Sequence, residues 1–246
     1  MNSAKARTLA GIVLPALMLL STVMAVGVRP VLADDAQQAQ HLVEKGRLTL
    51  ESYAADPNLG DGLRALLKKA RGVLIYPQVL RGAFIVGAAG GSGVFLARDE
   101  KTGEWSGPAF YTMGQASFGL QAGGDASEVV LVALTERGVT ALLSTGTKLG
   151  VDAGIAVGPI GAGAEAATAN LSADIISYSR AKGLYAGVSL EGAIVATRDD
   201  LNRAYYGRTA SPTEILIMRT ARNPHADALV AAVAKAAHAA PKVAAR

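Results

Sequence analysis

The chain has 246 residues, half of them hydrophobic, and carries a net charge of +4 at pH 7. It contains no cysteine, which excludes disulfide bonds, thiolate chemistry and lipid attachment through a cysteine thiol. No linker-like run divides the chain, and its length suffices for one sizeable hydrophobic core.

The first 33 residues have the three parts of a secretory signal. Lys5 and Arg7 form a basic start, residues 9–28 form an apolar run, and residues 31–33 read Val-Leu-Ala, with compact side chains where a signal peptidase reads. We therefore expect export to the periplasm or cell envelope, with cleavage after Ala33. The alternative is an uncleaved anchor, because about 20 apolar residues can span a bilayer.

Removing this segment changes the charge balance. It holds three basic residues and no acidic one, so the remaining 213 residues carry 21 basic and 20 acidic side chains, a net charge of +1. A near-neutral chain argues against nucleic-acid binding through a broad basic face. Any affinity for a membrane must therefore come from local patches.

Two helices are predicted at the start of the remaining chain. Residues 36–55 show apolar positions at helical spacing among polar ones, which is typical of an amphipathic helix. Asn58 and Asp61 resemble a capping pair that opens a second helix. The basic face of this second helix suits either an anionic membrane or plain solvation. Its apolar stripe is Leu63, Leu66, Leu67 and Ala70, and its basic face is Arg64, Lys68, Lys69 and Arg71.

From residue 72 the pattern changes to strands. Residues 73–76 form an apolar run that Pro77 should stop, residues 83–86 form a second run, and four glycines fall within residues 87–93. Glycine at these positions leaves one sheet face almost free of side chains. That space suits either the backbone of a packed neighbour, which is the commoner outcome, or a ligand.

Aromatic residues are concentrated in residues 105–125, which hold the single tryptophan and two of the four phenylalanines. Gly107-Pro108 predicts a turn, and the Gly-Gly-Asp sequence at residues 123–125 predicts another. Between them, alternation over residues 117–122 predicts a half-buried strand. We interpret the stretch as a strand that begins at an aromatic corner.

The rest of the chain alternates short strands and helices. Residues 129–134 predict a buried central strand, and Thr135 is expected to cap a short helix. Residues 174–180 and 183–191 predict a hairpin joined at residues 181–182. The C-terminal elements follow in this order: a strand at residues 193–196, a helix at residues 199–206, a helix beyond Pro212, and an alanine-rich tail helix.

Little in the sequence indicates catalysis. The three histidines, His41, His225 and His238, lie outside the glycine-rich body, and neither a nucleophile elbow nor a Walker lysine is present. Residues 161–166 fit a loosened dinucleotide fingerprint, but the helix that must follow is interrupted, so we reject a nucleotide site. We expect no enzyme activity, no metal and no cofactor. The remaining candidates are carboxylates, which more often serve turns and strand edges: Asp125, Glu128, Asp152, Glu165, Asp174 and Glu191.

Long ordered strings at residues 72–77, 105–124, 152–166, 174–192 and 205–207 carry a further signal. Together they resemble the SYLF family of lipid-binding domains. The resemblance implies phosphoinositide binding in eukaryotic relatives, actin-filament binding in fungi, and envelope lipid binding in exported bacterial relatives. An exported protein would meet neither phosphoinositides nor actin, and this chain lacks the signal-peptide cysteine of lipoprotein-like relatives. The family offers no catalytic residues.

We therefore predict an α+β fold, an antiparallel glycine-rich β-sandwich or open barrel with helices at both ends. Residues 34–210 are expected to form one lipid-binding domain and residues 211–246 a helical tail. The expected function is non-catalytic binding of a phospholipid, a fatty-acyl ligand or a membrane surface in the bacterial envelope. Alternatives are a structural or protein-interaction module of the envelope and, third, a hydrolase with paired carboxylates.

Ten residues are candidates for lipid contact. The aromatic ones suit an apolar ligand and the basic ones an anionic head group, although core packing and solvation are the respective alternatives. The aromatic candidates are Phe84, Trp105, Phe110, Tyr111 and Phe118, and the basic candidates are Arg71, Arg81, Lys148, Arg180 and Lys182.

Overall fold

The computed structural model describes residues 31–83, 86–118, 123–158, 172–181, 184–185 and 190–239. The signal segment up to residue 30, the rejected fingerprint at residues 161–166, and the candidates Phe84 and Lys182 lie outside these ranges. The chain separates into two compact units, Met1–Asp34 and Asp35–Arg246. Apart from the first four residues of helix α1, all elements below belong to the second unit.

Six α-helices occur within the described ranges, and none of them is long and apolar enough to cross a membrane. They are α1 (Val31–Ala55), α2 (Gly60–Lys69), α3 (Glu136–Leu143), α4 (Asp199–Tyr206), α5 (Pro212–Leu216) and α6 (Asp227–His238). A 3-10 turn at Pro224–Ala226 leads into α6.

Nine strands in the described ranges form one curled sheet, an open half-barrel. The sheet order is β5-β9-β3-β2-β1-β4-β7-β6, with β8 paired to β7, and only the β6–β7 pair is parallel among these strands. The strands are β1 (Gly72–Ala83), β2 (Val86–Arg98), β3 (Trp105–Phe118), β4 (Gly123–Ala133), β5 (Thr147–Lys148), β6 (Ile155–Val157), β7 (Ile175–Ala181), β8 (Leu184–Tyr185) and β9 (Ile194–Thr197).

Both faces of the sheet are buried, because helices cover each of them. Along β1, Val73 and Ile75 belong to the core beneath α1, α2, α4 and α6, while Leu74 and Tyr76 belong to the core beneath α3 and α5. This division follows from the period of two along a strand. The α+β class, the mainly antiparallel sheet and the helices at both ends confirm the predicted fold, in its open-barrel form.

The predicted strand breaks are wrong, because the strands are longer than their local sequence indicates. Pro77 lies inside β1, where the pairing with β4 shifts register between Tyr76 and Val79. Such a bulge tolerates proline, since one residue there is left out of the hydrogen-bond ladder. Of the predicted strand at residues 83–86, Ala83 ends β1 and Val86 begins β2, while residues 84–85 lie outside the described ranges.

The two turns predicted around the aromatic stretch are also wrong. Gly107-Pro108 has a cis peptide bond but lies within β3, beside a register shift between Phe95 and Ala97 of β2. Residues 123–125 begin β4 and pair with the end of β1. Pairing of Ser106 and Ala109 with β2, and of residues 123–125 with β1, therefore overrides the turn preference of these glycines.

The predicted capping pair at the start of α2 is wrong as well. Leu59 is the N-cap residue and no side chain caps the helix. Instead, Asp56 accepts hydrogen bonds from the backbone N–H groups of Asn58 and Leu59, at 2.8 and 3.1 Å. Asp61 forms an ion pair with Arg64.

Other local predictions are confirmed. The hydroxyl of Thr135 accepts a hydrogen bond from the Gly138 N–H at 3.0 Å and so caps α3. The helix predicted at residues 199–206 has those bounds, and β7 and β8 pair as the predicted hairpin. Val129 to Ala133 of β4 are buried, as expected for a central strand.

Candidate functional site

The sheet separates the predicted site residues into two groups. At one end, here called the Arg71 end, β1 begins, β2 ends and β3 begins, so that Arg71 lies beside Arg98, which pairs with Trp105. At the opposite Arg81 end, β1 and β7 end, and Arg81 lies opposite Asp125 of β4. The ten candidates therefore cannot form one site.

The described aromatic candidates are buried. Phe110 packs against Tyr205 with ring centroids 5.1 Å apart, and Tyr111 packs against Phe95 at 5.7 Å. Phe110 and Tyr111 are fully buried, and burial raises the pKa of the Tyr111 hydroxyl far above its ordinary value. Their contacts are those of core packing, whereas Trp105 lies at the margin of the core and is 6% exposed. For Phe118 the structure describes the main chain only.

Arg180 is tied to its neighbours on several sides. Its guanidinium donates to the Glu128 carboxylate at 2.5 and 3.0 Å and to the Ser52 hydroxyl at 2.8 Å. It also lies 4.7 Å from the centroid of the Tyr53 ring and 3.8 Å from the Asp56 carboxylate. The residue thus joins β7 and β4 to α1 and to the loop before α2.

The other basic candidates lie apart from one another. Arg71 is half-exposed and forms an ion pair with Glu100. Lys148 is exposed in β5, at the edge of the sheet, and Arg81 is partly exposed in β1. Within the described ranges, neither Arg81 nor Lys148 has an ion-pair partner among the acidic side chains.

The Arg71 end carries an apolar tip formed by Ile217 and Met218, whose side chains are 52% and 63% exposed. The backbone N–H groups of both residues donate to the Thr213 carbonyl, at 3.0 and 2.9 Å, where α5 ends. Arg219 follows with φ of 56°, a left-handed conformation that side-chain-bearing residues rarely adopt. The tip is therefore displayed by a tightly turned backbone.

Five basic residues lie at the Arg71 end and are here called the basic rim. A cleft of about 390 Å³ is lined by Ile217 together with Arg71, Arg98 and Arg219, and the adjoining cleft adds Lys69. The Arg98 guanidinium donates to the Lys68 carbonyl at 2.9 Å, which brings the end of α2 to the same place. The basic rim consists of Lys68, Lys69, Arg71, Arg98 and Arg219.

Acidic residues orient part of the rim. The Arg219 guanidinium donates to the Glu104 carbonyl at 3.0 Å and lies 3.5 Å from the Asp99 carboxylate. Backbone N–H groups of Thr102 and Lys101 lower the pKa of Asp99, with a smaller contribution from Arg219, so Asp99 stays ionised at neutral pH. Lys68 and Lys69, by contrast, are exposed and have no ion-pair partner among the described residues.

A second cleft of about 450 Å³ lies beside the rim and shares Arg219 with it; we call it the Trp105 cleft. One stripe of α6 lines it at intervals of four residues. The β3 start, residues 105–107, and the segment before α6 line its other sides. Within the described residues, the indole N–H of Trp105 is buried without a hydrogen-bond partner. The α6 stripe is Ala226, Val230, Ala234 and His238.

Of these features, the sequence pattern singled out only Arg71, Lys68, Lys69 and Trp105. Arg98 ends β2 and Arg219 belongs to the predicted tail, and nothing local indicates that they meet. Exposed Met218 was part of the apolar pattern that predicted a helix beyond Pro212, so nothing in its spacing indicated exposure. A signal for the Trp105 cleft was present in the four-residue repeat of small side chains in the tail helix.

Three of the candidate carboxylates, Glu128, Asp152 and Asp174, take part in structural contacts, while Glu165 lies outside the described residues. The Asp174 carboxylate accepts hydrogen bonds from the Thr135 hydroxyl at 2.6 Å and from the Gly154 N–H at 2.9 Å. Both bonds lower the pKa of Asp174, and the bond from Thr135 has the larger effect. Asp152 accepts from the Lys148 N–H at 2.7 Å. Among the described residues, no three His, Asp or Glu side chains form a group that could hold a metal ion.

Comparison with known proteins identifies the family. The profile of the family described as "Ysc84: Las17-binding protein actin regulator" matches residues 114–236, half of the chain. The chain belongs to the Ysc84 family. This confirms the resemblance predicted above, since Ysc84 and SYLF denote the same domain family.

Curated relatives of the Ysc84 family are longer than this chain. Protein YSC84 of Saccharomyces cerevisiae is 37% identical over 170 residues, which cover 67% of this chain and 36% of the relative. SH3 domain-containing YSC84-like protein 1 of Homo sapiens is 34% identical over 166 residues, which cover 67% of this chain and 48% of the relative. LAS seventeen-binding protein 3 of S. cerevisiae is 36% identical over 168 residues, which cover 67% of this chain and 36% of the relative. The chain thus spans about a third to a half of these relatives.

Proposed function

We propose that the chain is a non-catalytic, exported lipid-binding module of the bacterial envelope that docks its Arg71 end on an anionic membrane surface. The observation that carries this proposal is the exposed apolar tip, Ile217 and Met218, at the same end of the sheet as the basic rim; Ile217 shares a cleft with Arg71, Arg98 and Arg219. Two effects favour docking: the two apolar side chains become partly buried in the membrane, and the nearby cations are attracted to anionic lipid. Each basic residue near such a surface contributes about 1 kcal/mol, and full burial of an apolar side chain about 1.5–3 kcal/mol.

The paired acids limit the strength of this attraction. Arg71 and Arg219 already have carboxylate partners, so Lys68, Lys69 and Arg98 supply most of the charge available to lipid. Exposed charges are screened by salt over about 10 Å at 0.1 M. Docking is therefore expected to be reversible and to weaken as the salt concentration rises.

The test is sedimentation of the full chain with phosphatidylcholine vesicles that contain or lack phosphatidylglycerol. We expect stronger binding to the anionic vesicles and a loss of about tenfold in the double variant Ile217→Asp, Met218→Asp, because acidic side chains oppose both insertion and charge attraction. The matched control is Ile194→Asp, since Ile194 is equally exposed, at 53%, but lies in β9 opposite Gly114 of β3, away from the apolar tip.

The apolar residues 9–28 are the same in the wild-type chain, the double variant and the control, so their contribution to vesicle binding cancels in the comparison. Equal sedimentation of the wild-type chain and the double variant contradicts the proposal. So does binding that does not depend on phosphatidylglycerol.

A protein partner is the second candidate, because the family description specifies a Las17-binding protein and actin regulator. For this chain that corresponds to a protein-interaction module of the envelope. It gains support if the vesicle experiment shows no dependence on lipid charge or on the apolar tip.

A further inference from the structure

We propose that the Trp105 cleft binds one single-chain zwitterionic lipid, whose head group carries a phosphate and an ammonium. This inference rests on the proposed lipid-binding function and adds to it a site that holds an individual molecule. The site is separate from the apolar tip, although Arg219 borders both.

The floor of the cleft is apolar and narrow. Trp105, Ile215 and Ala226 are buried, while Val230 and Ala234 of the α6 stripe are partly exposed above them. Alanine at two positions of the stripe keeps the groove open beside the indole ring. Its volume of about 450 Å³ lies in the range of small-molecule sites, roughly 300–1,000 Å³. The apolar floor suits an acyl chain, and polar side chains form much of the remaining wall.

The Trp105 indole supplies an independent indication of a ligand. Buried donors in folded proteins are nearly always paired, so an unpaired one requires a reason. The Trp105 N–H is buried and has no partner among the described residues. The N–H is closed off from solvent, so an ester or phosphate oxygen of a ligand would reach it only after the cleft floor rearranges on binding.

The charges at the cleft indicate the kind of head group. Glu104 and Arg219 are paired with each other, so they neutralise one another. Two other charged residues of the lining, Arg222 and Asp227, are exposed and take part in no side-chain hydrogen bond or ion pair among the described residues. One free cation and one free anion match a phosphate and an ammonium, whereas a purely anionic head group would leave Asp227 unmatched.

The experiment uses the intrinsic fluorescence of Trp105, the single tryptophan of the chain. The probe is lysophosphatidylethanolamine below its micelle concentration. Lysophosphatidylglycerol, with the same acyl chain and an anionic head group, and glycerophosphoethanolamine, which lacks the chain, serve as comparisons. We expect lysophosphatidylethanolamine to change the Trp105 fluorescence until one lipid is bound per protein. The affinity for lysophosphatidylglycerol should be about tenfold lower, and glycerophosphoethanolamine should cause no change in fluorescence.

Three substitutions assign the binding to the cleft. Ala234→Phe fills the groove and should abolish the response, while Ala231→Phe on the exposed side of α6 should preserve it. Asp227→Asn should remove the preference for the ethanolamine head group. Binding that survives Ala234→Phe, or equal affinity for the two lysolipids, overturns the proposal.

The vesicle experiment separates this inference from the function on which it rests. If the wild-type chain sediments with anionic vesicles but Trp105 shows no saturable response, the cleft proposal fails and membrane docking stands. If neither is observed, both fail.

Discussion

At the scale of single residues, Arg180 shows how a charge on a strand organises the elements around it. The side chain is only 14% exposed and contacts Glu128, Ser52, Tyr53 and Asp56. It was a candidate for binding an anionic head group. In the structure two carboxylates already lie beside it, so its positive charge is matched from within the chain.

We predict that Arg180→Ala lowers the free energy of unfolding by about 2 kcal/mol, because it leaves the partly buried Glu128 unpaired and removes a cation from the face of Tyr53. The measurement is urea denaturation at neutral pH. Arg208→Ala is the control, since its ion pair with Glu214 is about 40% exposed and should contribute under about 1 kcal/mol. Similar effects of the two substitutions would contradict the role assigned to Arg180.

At the scale of elements, the glycines of β2 and the bulge of β1 depend on each other. A Cβ atom on Gly93 would lie 2.6 Å from the Ile75 carbonyl oxygen and 2.6 Å from the Tyr76 ring, and one on Gly91 would collide with the Gln78 carbonyl. The backbone of β1 therefore fills the space that these glycines leave. Of the two interpretations offered for the glycine-rich run, the packed neighbour is observed at these positions.

We predict that Gly93→Ala destabilises the fold by about 1–3 kcal/mol, because the added methyl group overpacks the bulge. Gly114→Ala is the matched control: Gly114 also lies in a central strand, but no atom lies within 4 Å of the position that an added methyl group would take. Its effect should be small, or stabilising by up to about 1 kcal/mol. Thermal unfolding of both variants tests this, and an equal loss of stability in the two would contradict the role assigned to the restricted space at Gly93.

Element boundaries were predicted well where the determining contacts are local. The Thr135 cap and the helix at Asp199–Tyr206 depend on residues a few positions apart. Pro77, Gly107-Pro108 and residues 123–125 were predicted as breaks and turns but lie in long strands. Partners distant in sequence provide the hydrogen bonds that hold those segments extended, and no local pattern reports them.

At the scale of the whole molecule, the sheet decides which residues can act together. It places Arg71 and Trp105 at one end and Arg81 and Arg180 at the other. It also brings Arg98, Ile217 and Arg219 to the Arg71 end, although the loop after β2 and the segment after α5 are over 110 residues apart in sequence. The proposed membrane surface is thus a product of tertiary packing.

We predict that export removes residues 1–33. Expressed in a bacterial host, the chain recovered from the envelope fraction should begin at Asp34, as intact-mass measurement would show. The first buried residue of α1 beyond this point is Ala39, so cleavage spares the packed part of that helix.

Ala33→Arg should block processing, because the peptidase requires a small side chain there, while Asp35→Asn should not. An envelope-located chain that still begins at Met1 would support the uncleaved anchor instead.

The sequence by itself determined the fold class, the family, the amphipathic helices and the buried central strand, because periodicity and caps are local properties of the chain. Among the residues that carry the family resemblance, 72–77, 105–118 and 123–124 lie in strands of one sheet. Only the tertiary structure decided that Phe110 and Tyr111 fill the core, that Arg180 is paired internally, and that Ile217 shares a cleft with Arg71, Arg98 and Arg219. The physical reason is that burial, charge pairing and surface adjacency depend on contacts between residues far apart in sequence.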